Sequence, residues 1–139
     1  MAALGTRLLE IVIDGTARSA EISSCKISAA ETSSDFVSFA DAAAGGGRDY
    51  TLDLTAVQDL ASSTLWDLVW ASAGSTVACT YKPYGNVTAS STQPHYTFSV
   101  VITEPDGDFL GGDADASTTA RFTFDVSWLL TAKPTKVTS

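Results

Sequence analysis

Few side chains in this sequence have the types and spacing that chemistry needs. The one histidine, His95, sits in Gln93-Pro94-His95-Tyr96. A nucleophilic triad needs a nucleophile and an orienting acid around the imidazole, and a metal centre usually draws on more than one imidazole or thiolate; the neighbours of His95 supply neither. The run Asp106-Gly107-Asp108-Phe109-Leu110-Gly111-Gly112-Asp113-Ala114-Asp115 resembles half of a calcium loop. Leu110, however, stands where a third oxygen ligand belongs and Ser117 where the bidentate Glu belongs, so the run reads as a solvated acidic turn. Gly45-Gly46-Gly47 lacks the Lys-Ser/Thr of a phosphate loop and precedes a strand pattern, which makes it a loop tip. Cys25 and Cys79 read as two small buried hydrophobes rather than a disulfide. The expectation is no catalytic residue, no cofactor and no metal: a protein that works through surfaces and is not an enzyme.

Composition narrows the class further. The 139 residues suit one domain, 1–139, able to bury a single core without disulfides or metal. Hydrophobic residues make 45% and charged residues only 17%, which describes a packed chain and not a disordered one. Net charge is −8, and the basic residues are scattered singly, so no cluster exists to displace counterions from phosphates; tight nucleic-acid binding is not expected. The apolar run Leu8 to Ile13 is interrupted by Glu10, so neither a signal-peptide core nor a membrane span is expected there, and the cytoplasm is the expected compartment.

Periodicity predicts a mainly β chain with one short flanking helix. Leu9, Ile11 and Ile13 alternate with Leu8, Glu10 and Val12 up to Asp14-Gly15, a two-residue hairpin signal. In the second strand the apolar phase slips by one residue near Ser23-Ser24, which a bulge would repair. Residues 30–48 lose periodicity and form a long loop carrying Phe36, Val37 and Phe39. Tyr50 to Ala56, Val77 to Tyr81, Tyr96 to Ile102 and Thr119 to Leu130 alternate as strands. The tail 131–139 contains Pro134 and is expected to leave the sheet as an arm.

The helix is predicted over Ser63–Ala73, capped by Ser62 and stopped at Gly74. Its apolar arc, Leu65, Trp66, Leu68, Val69, Trp70 and Ala73, spans roughly 200°, more than one sheet covers. Trp66 and Trp70 are therefore candidates for a subunit interface, with a covering loop of the same chain as the alternative. Phe36, Val37 and Phe39 are the other interface candidates. The outward strand positions Asp53, Thr55, Thr80, Lys82, Arg121, Thr123 and Asp125, among Thr and Ser, form short polar faces. Such faces suit a confined water-filled surface or an ordinary solvated sheet.

Four stretches, in this order and spacing, resemble the major tail tube proteins of long, non-contractile-tailed bacteriophages of the actinobacteriophage type. They are the strand pair through Asp14-Gly15; Leu65-Trp66 to Gly74 followed by Val77 to Asn86; Gln93-Pro94-His95-Tyr96; and Phe122 to Trp128 followed by Lys133-Pro134-Thr135. Ala132-Lys133-Pro134 departs from the glycine turn expected there. The resemblance implies a tail-tube-like β-sandwich or barrel with hexameric rings stacked into a tube and located in the virion tail. It also implies residues 30–48 as the stacking loop, the outward polar strand positions facing the lumen, and DNA passing without specific binding. Tape measure and tail terminator or tip proteins are the implied partners. A carbohydrate-binding β-sandwich of a tail tip or head decoration, using Tyr81, Tyr84, Trp66 and Trp70 as a platform, and a secretion-system tube protein stay open.

Overall fold

The computed structural model describes residues 5, 7–31, 36, 38–44 and 48–139. Asp14 and Gly15 both take positive φ, 53° and 82°, the conformation a two-residue hairpin needs, and they join β1 (Glu10–Ile13) to β2 (Thr16–Ala17). The predicted second strand divides here. After β2 the chain turns through residues 18–21 and enters another sheet as β3 (Ile22–Glu31). The register of β3 shifts between Ile22 and Ser24, so the expected bulge restores one inward phase.

The remaining strands are β4 (Arg48–Val57), β5 (Thr76–Lys82), β6 (His95–Val101), β7 (Thr123–Leu129) and β8 (Thr135–Val137). They form two antiparallel sheets, β2-β1-β5-β6-β8 and β3-β4-β7, with no closed barrel. The fold is mainly β, as the alternation required. Ile11, Ile13, Cys79, Phe98 and Val100 of the first sheet meet Leu52, Leu54, Phe124, Val126 and Trp128 of the second in one core.

Along one margin the sandwich is sealed. Leu130 bridges to Val100, the Thr131 amide donates to the Ser99 carbonyl at 3.0 Å, and Trp128 Nε1 donates to the Thr103 carbonyl at 3.0 Å. The chain thus passes from β7 into the other sheet, and the tail does not leave as an arm. Residues 135–137 pair with β6 as an edge strand, with Pro134 just ahead of the ladder, where its missing N–H costs nothing.

Three further boundaries differ from expectation. The β3–β4 hairpin consumes both ends of the 30–48 stretch, pairing Ala30 with Asp49 and Glu31 with Arg48. The connection between them holds a second helix, α1 (Phe39–Ala43), started by a Ser38–Asp41 capping box. The helix α2 (Leu65–Ser72) is capped by Thr64 rather than Ser62, because Ser63 turns through φ 66° immediately before it. β7 begins at Thr123 and not at Thr119, since its partner β4 ends at Val57; the Gln58 amide caps the ladder on the Phe122 carbonyl.

Candidate interaction surfaces

At the α2 end the sequence-predicted interface tryptophans part company. Glu21 Oε1 accepts the Leu65 amide at 2.9 Å, while Arg18 donates to Glu21 Oε2 at 3.2 Å and to the Ser63 carbonyl at 2.7 Å. This fixes the helix so that Leu65, Trp66 and Val69 enter the core. Trp66 is 8% exposed, and its Nε1 donates to the Phe109 carbonyl at 2.7 Å. Its ring packs against both Trp70 and Phe109, with centroids 5.3 and 5.2 Å away, and those two rings also touch each other at 5.5 Å. Trp66 is therefore a core residue and no interface candidate: the chain's own acidic turn folds over it, held by Gln58, whose side chain bonds the Gly111 amide and carbonyl at 2.6 and 3.0 Å. Trp70 remains 57% exposed, and Leu60, Leu110 and Phe122 are exposed at the same end.

Phe36 and Phe39 project at the opposite end, Phe39 at 97% exposure, on a helix that buries nothing. Val37 lies outside the described residues. The connection bearing them opens into β4, and α2 follows the far end of that same strand, about 30 Å away at the usual rise per residue. Tyr81 lies near the end of β5 while α2 precedes its start, so Tyr81, Tyr84, Trp66 and Trp70 cannot make one carbohydrate platform.

The predicted lumen-facing set also divides. Asp53, Thr55, Thr123 and Asp125 share the outer face of β3-β4-β7. Asp53 accepts from Ser28 Oγ at 3.1 Å and Ser127 Oγ at 2.6 Å, and Thr55 Oγ1 donates to Asp125 at 2.6 Å. Thr80 and Lys82 lie on the outer face of the other sheet, where Lys82 pairs with Glu10 at 3.8 Å. Two packed sheets turn their outer faces in opposite directions, so one lumen cannot be lined by both groups. Arg121 precedes β7 and bonds the carbonyls of Thr118 and Ala120 at 3.2 and 2.8 Å.

His95 is buried, with Nε2 3.0 Å from the Asn86 carbonyl, which ties the 83–93 loop to β6. Burial pushes the free thiols of Cys25 and Cys79 up to about 12, reinforced at Cys25 by Cys79 and at Cys79 by Asp14, so neither is poised as a thiolate. Among the described residues no group of three or more His, Cys, Asp or Glu is arranged to hold a metal ion, and no helix is long and apolar enough to cross a membrane. Sequence reasoning missed the Arg18–Glu21 node and the Gln58 clamp; the first is one polar pair and the second a single residue, and neither has a periodic signature. No protein-family model matches the chain, and no curated protein matches it either.

Proposed function

We propose that the chain is a structural subunit that assembles with copies of itself into six-membered rings, stacked as the tail tube of a long-tailed bacteriophage. One observation carries this reading. Exposed aromatic groups stand at opposite ends of a single ten-residue strand, Phe36 and Phe39 before β4 and Trp70 with Phe122 beyond it. A contact between unlike ends of identical subunits is heterologous, and repeating it builds an open stack. The resemblance read in the sequence supplies the ring and the phage setting, with tape measure and terminator or tip proteins as partners and assembly in the host cytoplasm.

On this reading the outer face of β3-β4-β7 lines the lumen, since it presents Asp53 and Asp125 among short hydroxyls. DNA phosphates find no cation cluster there and pass without specific binding. Thr80 and Lys82 then face outward. The function needs no reaction centre, and none is proposed. Light scattering across concentration together with negative-stain microscopy tests the proposal. Rings and tubes of constant diameter are expected; a strict monomer at high concentration, with no tube even when tail partners are added, would overturn it.

A further inference from the structure

The margin opposite the Leu130 seal is open. Among the described residues β3 pairs only with β4, leaving its other edge without a strand partner over ten residues, and alternate residues aim their N–H and C=O groups away from the sheet. A cleft runs beside that edge. Ile22 and Cys25 face Leu9 and Ile11 across about 520 Å³, and Ile27 and Tyr50 face Tyr81 and Tyr96 across about 410 Å³. An apolar floor beside a bare strand edge has the form of a site that receives a further strand.

The rim of this cleft is basic, although the chain carries a net charge of −8. Arg7 and Lys26 border the first part and Lys133 the second. Among the described residues none of these three is in an ion pair, whereas Arg18, Arg48 and Lys82 are. Asp53, the register partner of Lys26, is already held by Ser28 and Ser127.

We propose that this cleft docks an extended acidic segment of a partner polypeptide, which adds to β3 as a strand. Its alternate apolar side chains enter the floor, and its carboxylates meet Arg7, Lys26 and Lys133. The inference stands on the open edge and its charge, apart from the tube reading. A fluorescein-labelled octapeptide alternating glutamate and valine, titrated with the full chain and followed by anisotropy, provides the test. Saturable binding is expected, with hydrogen-exchange protection confined to β3 and weakening as salt is added. Combined Arg7→Glu, Lys26→Glu and Lys133→Glu changes, all at exposed positions, are expected to cost about tenfold or more in affinity. A lysine–valine peptide, and the acidic peptide N-methylated at alternate residues, are expected not to bind; these two arms decide the matter if the triple variant does not fold. Absence of acidic-peptide binding, equal binding of both peptides, protection elsewhere, or self-pairing through β3 that excludes the peptide would each overturn the proposal.

Discussion

The Glu21 carboxylate and the Leu65 amide, 44 residues apart in sequence, meet at 2.9 Å, and through this bond the link between the two sheets holds the start of α2. The same carboxylate pairs with Arg18, whose side chain is 8% exposed. Glu21→Ala leaves that guanidinium without its partner in a largely dry position and should destabilise the protein by about 3 kcal/mol in urea unfolding. Glu21→Gln keeps an acceptor for Leu65 and should cost less. Equal losses for the two variants would show that the charge carries the whole effect and the retained acceptor none.

Trp66 and Trp70 stack on one another but serve different ends. Trp66→Ala should cost about 3–5 kcal/mol of stability, because it empties a site enclosed by Phe109 and the helix. Trp70→Ala should cost the isolated chain about 1 kcal/mol yet reduce tube formation, since most of its surface faces outward. Thermal melts beside sedimentation of assemblies distinguish the two; an equal loss of stability would place Trp70 in the core as well.

The connection through α1 contributes no buried residue from its helix. Replacing Ser34 to Gly46 by a short Gly-Ser linker should therefore leave a folded chain, since loop closure depends only weakly on length, while abolishing stacking. Circular dichroism and electron microscopy read the two effects separately, and an unfolded product would assign the connection to the core.

Asp53 and Asp125 should tolerate conversion to Lys with tails still formed, at a cost of about 1 kcal/mol for each lost hydroxyl contact. Phage with both changes should eject DNA more slowly at low ionic strength and recover as salt rises. Unchanged ejection from well-formed tails at low salt would place this face away from the lumen.

The thiols set an alkaline limit. Burial holds Cys79 protonated up to about 12 in the folded chain, well above an exposed thiol. Between about pH 9 and 12 the unfolded state binds fewer protons than the native one, so stability present below pH 9 falls by up to about 1.4 kcal/mol per pH unit for this thiol. Cys79→Ala should flatten that decline in a pH series of denaturant midpoints. Maleimide labelling of the native protein at neutral pH should be slow at both Cys79 and Cys25.

By itself the sequence determined what local physics dictates: the alternation that makes strands, the Asp14-Gly15 hairpin, the bulge at the phase slip near Ser23 and the Gly74 stop. Each depends on residues adjacent in the chain, so each was legible before any contact was known. Tertiary structure decided what alternation cannot specify, namely the sheet to which a strand belongs. A period of two separates inward from outward but gives every outward face the same signature, so Asp53 and Thr80 looked alike although they lie on opposite sides of the sandwich. The fate of Trp66 was equally hidden, because it depends on a turn 43 residues away that Gln58 holds in place. The tail became a strand, not an arm, because β6 offered it a free edge, and a free edge is a property of the assembled sheet rather than of any stretch of chain.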